Sequence, residues 1–158
     1  MSRGKSSTKK KRRRRSQRQA IQENIRRRFK KNFPRQQVVV GPTSDGVKMS
    51  EVLEEFVEPY MEFVKTEEAY RKLLTAAVVA WNVMLFPEKD RSSRFDELVV
   101  TLPCEAREDG RKIIKELMER KERFFARYKR MIIDFEVTDT GEDWHLSVMS
   151  TAAGDLNR

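Results

Sequence analysis

Apolar residues recur along this chain with two periods, and the change from one to the other divides it. From Val47 they follow the three-four spacing of a helix face. Val52, Leu53, Phe56, Val57, Tyr60, Met61 and Val64 form one stripe, and Glu51, Glu54, Glu55, Glu58 and Glu62 lie away from it. Pro59 falls inside this run and offers no N–H to the helix ladder, so a kink or a division in two is predicted there. Thr66 is placed to N-cap the next helix, with Glu67 and Glu68 favourable in its first turn. Residues 73–86 contain only two polar side chains, Thr75 and Asn82, and a helix apolar all round is central in its domain. Trp81 reads as core and Asn82 as a partner for a nearby backbone group. Pro87 ends this helix, and a short element at 96–102 is stopped by Pro103.

Residues 105–128 make the clearest helical pattern. Ile113, Ile114, Leu117, Met118, Phe124, Phe125 and Tyr128 form its inner face. Glu108 with Lys112, Glu116 with Arg120, and Glu119 with Arg123 are acid-before-base pairs, each worth about 0.2–0.5 kcal/mol on an exposed face. Gly110 weakens the first turns by roughly 1 kcal/mol relative to Ala. After Arg130 the period falls to two. Ile133, Phe135 and Val137 alternate with Asp134, Glu136 and Thr138, and Trp144, Leu146 and Val148 alternate with His145, Ser147 and Met149. This predicts a β-hairpin with one apolar face. A two-residue loop at Thr140-Gly141 pairs Asp139 with Glu142, Val137 with Trp144, Phe135 with Leu146 and Ile133 with Val148.

The fold class these elements predict is α+β: a helical body of three to four helices with a C-terminal antiparallel β-hairpin, preceded by a basic N-terminal arm. The divisions are 1–36 for the arm, 37–46 for a linker, 47–151 for the body and 152–158 for a tail. The β-prone run at 38–40 and the Gly41-Pro42-Thr43-Ser44-Asp45-Gly46 turn lie in the linker.

Charge sharpens the division. The chain carries a net charge of +9 and a pI near 9.8, with 37% charged and 38% hydrophobic residues, which disfavours a chain disordered throughout. Residues 1–36 hold 16 Lys and Arg against one acid, Glu23, for a net +15; the remainder holds 18 bases and 24 acids, for a net −6. Residues 1–11 are predicted to be disordered when free. Ser16 with Gln19 fits a capping box, Ile21, Ile25, Phe29 and Phe33 recur every four residues, and Pro34 stops the run, so 16–33 reads as a basic amphipathic helix.

The arm is the strongest chemical signal. Lys9, Lys10, Lys11, Arg12, Arg13, Arg14 and Arg15 are seven consecutive cations, which repel one another unless a polyanion neutralises them. Binding phosphates releases condensed counterions, and Arg also forks onto phosphate oxygens and stacks on bases. Arg18, Arg26, Arg27, Arg28, Lys30 and Lys31 extend the cationic surface. The expected partner is therefore nucleic acid, RNA or DNA, with ribosome association, RNA binding and nucleoid association as equal sub-cases. A protein partner on the acidic body is a further expectation. The rival readings are an adaptor whose arm docks an acidic protein or serves as an address, and an anionic membrane surface bound by the 16–33 helix.

Catalytic signals are weaker. In the hairpin register above, Glu136 faces His145 and Asp134 faces Ser147, so Ser, His and carboxylate share one face. There is no nucleophile elbow or Gly-rich oxyanion loop, and that face reads as flat and wet. Asp134 and Glu136 are also the pair on which a Mg²⁺-dependent nuclease would rest, with Asp139, Glu142 or Asp143 nearby. A solvated acidic hairpin is the commoner case, and the chain is expected not to be an enzyme. One His, one Cys and no GxGxxG, Walker A, CxxC pair or HExxH leave no cofactor to expect. Cys104 lacks a dedicated base and reads as inert. A single Cys and the absence of an apolar leader point to a reducing, intracellular compartment, cytoplasm or nucleoid in a bacterium and nucleus in a eukaryote. No run reaches the ~20 apolar residues that span a bilayer.

Residues 49–150 resemble small uncharacterised bacterial proteins. The likeness rests on the helical pattern around Ala80-Trp81-Asn82, on the run from Ile133 through Gly141, and on His145-Leu146-Ser147-Val148. No activity is assigned to those proteins, so the resemblance implies only that the body is a real domain. The basic arm has no part in it.

Overall fold

The computed structural model describes residues 39–40, 42–43, 45–102, 104 and 107–153. The arm with its 16–33 helix, and the tail beyond 153, lie outside the described residues. The elements are β1 (Val39–Val40), α1 (Met49–Val57), a 3-10 helix (Glu58–Phe63), α2 (Glu67–Val83), α3 (Glu88–Val99), α4 (Arg107–Phe124), β2 (Arg130–Asp139) and β3 (Trp144–Ala152). Helices precede an antiparallel hairpin, so the fold is α+β. The sheet gains a third strand: its order is β1-β3-β2, with Val39 opposite Ser150 and Val40 opposite Met149. The segment expected as linker is thus tied to the sheet. A bridge between Pro42 and Lys48 closes the following turn, in which Thr43 accepts from Gly46 N and donates to the Val47 carbonyl.

The helices follow from local chemistry. In α1, Val52, Leu53, Phe56 and Val57 are buried, and the α-helix stops one residue before Glu58-Pro59, continuing as the 3-10 turn. Pro59 divides the helix because it removes one N–H and crowds the preceding turn. Thr66 Oγ1 caps α2 by accepting from Ala69 N at 3.1 Å. α2 is the centre of the core: Leu74, Ala77, Ala80, Trp81 and Val83 are wholly buried. Trp81 meets Phe56 edge-on at 5.3 Å, and Phe56 meets Phe125 at 5.2 Å. Such pairs add about 0.5–1.5 kcal/mol to the burial itself.

Two helices differ from the sequence reading. α3 runs over 88–99 rather than 96–102. Its only buried apolar side chains are Phe95 and Val99, so two residues anchor a twelve-residue helix and leave no broad stripe to detect. Glu88 and Asp90 in its first turn suit the helix dipole. α4 covers 107–124 within the expected 105–128. Ile114, Leu117 and Phe125 are buried as expected, but Phe124 is 61% exposed, and Lys121 takes the inward position instead. The i,i+4 acid–base pairing gives way at Arg120, which reaches to α1, while Glu116 accepts from Tyr60 at 3.2 Å.

The hairpin register is displaced by two residues from the expected one. Asp139 lies opposite Trp144, Val137 opposite Leu146 and Phe135 opposite Val148, leaving a four-residue loop at 140–143. A two-residue slip keeps every side chain on its face, so apolar patterning alone does not distinguish the registers. Turn chemistry does. Thr140 N donates to the Asp143 carbonyl at 2.9 Å, Asp143 N donates to Thr140 Oγ1 at 3.2 Å, and Gly141 adopts φ +82°. A bulge between Ile132 and Asp134 then places Ile132, not Ile133, in the core.

α2 secures the outer edge of β2 through side chains. Trp81 Nε1 donates to the Arg130 carbonyl at 2.8 Å. The Asn82 amide donates to the Ile132 carbonyl at 2.7 Å and accepts from Ile132 N at 3.0 Å, mimicking a neighbouring strand. Arg71 donates to the Val137 carbonyl at 2.6 Å. An open strand edge would otherwise present these groups for pairing with another chain.

Candidate functional site

Every residue of the expected nucleic-acid site, from Lys9 to Lys31, lies outside the described residues. The structure describes the point to which that segment leads: β1 on the edge of the sheet. Within the body, by contrast, several arginines are engaged by the fold. Arg120 donates to the carbonyls of Phe56 and Glu55 at 3.0 and 3.1 Å, at the C-terminal end of α1. Arg91 reaches the Phe86 and Met84 carbonyls beyond α2, and Arg107 reaches the Leu102 and Val100 carbonyls beyond α3. Helix ends leave such carbonyls unpaired, and cations there also complement the dipole.

The hairpin's outer face is rearranged by the register. His145 stands opposite Thr138, Ser147 opposite Glu136, and Asp134 opposite Met149. Ser147 Oγ is 3.4 Å from His145 Nε2. Glu136 lies 3.8 Å from Arg71 Nη2, and Asp134 Oδ1 accepts from Phe135 N at 2.8 Å. The carboxylates are thus drawn toward a guanidinium and a backbone amide. The face is not wet along β3, where Ser147, Met149 and Thr151 are 5%, 2% and 0% exposed. Among the described residues, no group of three His, Cys, Asp or Glu is arranged to hold a metal ion.

A second locus escaped the sequence reading. A cleft of about 240 Å³ lies between the start of α1 and the hairpin turn. Lys48, Ser50, Glu51 and Glu54 form one wall, and Asp143, Trp144 and His145 are among those forming the other. Lys48 Nζ pairs with Glu51 at 3.2 Å. Trp144 stacks on Tyr70 with centroids 5.4 Å apart. Burial pushes the Glu54 carboxyl above its usual range; Lys48 opposes this, and Glu51 and Asp143 add to it. Burial likewise pushes the Tyr70 hydroxyl up to about 12, reinforced by the charges of Glu54 and Asp143. Glu54 is exposed on the side of α1 away from the core, as its spacing indicates. Only the turn closed by Thr140 and Asp143 brings the hairpin against it, and no spacing along the chain encodes that approach.

Lys121 is the other unexpected group. It is 2% exposed, and its Nζ donates to the Phe125 and Tyr128 carbonyls at 2.7 and 2.9 Å, 4.1 Å from the Trp81 ring centroid. Burial lowers its pKa to about 8, with Lys129 adding repulsion. Two carbonyls and a ring face engage the ammonium, which closes the C-terminal end of α4. The signal was present: 114, 117, 121, 125 and 128 continue one helix face. Cys104 is free and exposed.

Among the described residues, no helix is long and apolar enough to cross a membrane. No family model, no curated protein and no solved structure matches the chain.

Proposed function

We propose that this chain is a non-catalytic nucleic-acid-binding protein whose Lys/Arg-rich N-terminal arm contacts the phosphate backbone of RNA or DNA. The observation that carries this reading is the charge division: +15 over residues 1–36, including seven consecutive cations, against −6 over the rest. One acid among 36 residues cannot neutralise 16 bases within the arm. Phosphates can, and the release of their counterions drives association with little demand for sequence. The body then serves as a platform that carries the arm from its sheet edge and offers an acidic surface to a protein partner. The lone, exposed Cys104 supports a reducing, intracellular setting.

The test is RNA and DNA binding by the full chain and by a chain beginning at Gln37. The expected result is binding by the full chain alone. Equal binding by the truncated chain would move the site to the body. If neither binds near physiological salt, a pull-down that survives nuclease treatment would establish the adaptor reading in its place.

A further inference from the structure

The cleft between α1 and the hairpin turn gathers polar groups that the fold engages only in part. The Lys48–Glu51 pair cancels its own charge on one wall. Glu54 and Asp143 remain: both line the cleft and neither forms an ion pair among the described residues, while Asp143 Oδ1 accepts from Trp144 N at 2.8 Å. Ser50 adds an independent feature. It is 7% exposed and lines the cleft, yet its hydroxyl has no hydrogen-bond partner among the described residues. A buried hydroxyl without a partner costs about 1–3 kcal/mol, so such a group signals a missing acceptor or donor. Trp144 supplies an aromatic surface beside these groups, of the kind that attracts cations.

We infer that this cleft binds an organic cation, a guanidinium or alkylammonium group, held by Glu54 and Asp143, bonded to Ser50 Oγ and packed on Trp144. The chemistry follows from the donors present. Three carboxylates, Glu51, Glu54 and Asp143, against the single Lys48 ammonium disfavour an anion. No set of three His, Cys, Asp or Glu among the described residues suits a metal ion, which also has little use for an indole. A cleft of about 240 Å³ falls below the 300–1,000 Å³ of sites for larger ligands and fits one side chain or a small amine. The inference is independent of nucleic-acid binding by the arm. The cation has two sources: a free amine, or a Lys or Arg side chain of the chain's own arm.

The experiment is an agmatine titration of the full chain, followed by ¹H–¹⁵N NMR at the Trp144 indole and the Ser50 amide. The buried Trp81 indole is the internal control, and neutral butylurea is the uncharged probe. Saturable shifts at Trp144 and Ser50, absent at Trp81 and absent with butylurea, are expected. Glu54→Gln should weaken binding about ten-fold, the scale of one charge-assisted hydrogen bond. The Glu54→Gln/Asp143→Asn double variant should abolish it. The titration is repeated on a full-length variant with Gln at positions 9–15. If Trp144 shifts before agmatine is added and agmatine then binds more tightly, the arm is the source; unchanged binding identifies a free amine. No saturable shift, an equal response to butylurea, or unchanged binding by the double variant would overturn the inference and leave the cleft to water.

Discussion

In the body, arginine side chains turn back onto the chain's own carbonyls. Arg91, Arg107 and Arg120 each supply two donors to the end of a helix, and Arg71 binds β2 while pairing with Glu67 at 2.9 Å. In the arm, 16 bases stand with a single acid. The residue type is the same and the circumstances are opposite. The difference teaches that a basic pI says little until each cation has been assigned its partner. The 18 bases of the remainder belong to an acidic region, where several of them hold the fold together. The net surplus of positive charge lies in the first 36 residues.

If this comparison holds, changes in the body alter stability without altering affinity for nucleic acid. The largest effect is expected at Asn82. Asn82→Ala leaves the Ile132 N–H and carbonyl unpaired at the edge of β2, at a cost of about 1–3 kcal/mol for each group. Urea unfolding should show the loss, and filter binding should show no change in nucleic-acid affinity. Arg120→Gln comes next. It shortens the reach to α1 and should cost about 1–2 kcal/mol, again with unchanged binding. A large fall in affinity in this variant would mean that body arginines also meet phosphate, and the comparison would break.

Lys121 gives a smaller, pH-dependent effect. Its folded pKa, about 8, lies below its ordinary value of 10.5, so the unfolded chain binds more protons between these limits. The penalty is fully present below pH 8, and stability rises as pH climbs from 8 toward 10. Above that, Tyr70, pushed up to about 12, begins to act in the opposite sense. Urea midpoints should rise across pH 8–10 in the native chain and stay flat in Lys121→Met after subtraction of the common background. The smallest change is Gly110→Ala. An added Cβ would meet Leu102 Cδ1 at 3.1 Å, the far end of a side chain that is itself partly exposed. The helix-propensity gain should prevail, raising stability by up to about 1 kcal/mol.

How far the sequence could be read depended on whether a feature was local. Pro59 and Thr66 act through their own turns, and both behave in the fold as the chain order indicates. Trp81 and Asn82 were legible as core and backbone partner because residues 73–86 are apolar but for Thr75 and Asn82. α3 was largely missed because two buried residues make no pattern. The hairpin register was missed because a two-residue slip leaves the faces intact, and the choice rests on Thr140 and Asp143 bonding across the turn. Lys121 belongs to a residue type that rarely faces inward, and only its spacing on the inner face signals its burial. The cleft was invisible because its two walls are far apart in the chain and meet only through the hairpin.

The central claim is that the arm's own cations meet phosphate. The most direct measurement is the slope of log affinity against log salt for a short duplex DNA, comparing the full chain with a full-length variant carrying Gln at positions 9–15. Each phosphate neutralised contributes about 0.9 to the slope. The account expects the variant's slope to be shallower by up to about 6, with its urea midpoint unchanged. An unchanged slope would contradict it, because the phosphates would then be met by cations elsewhere in the chain.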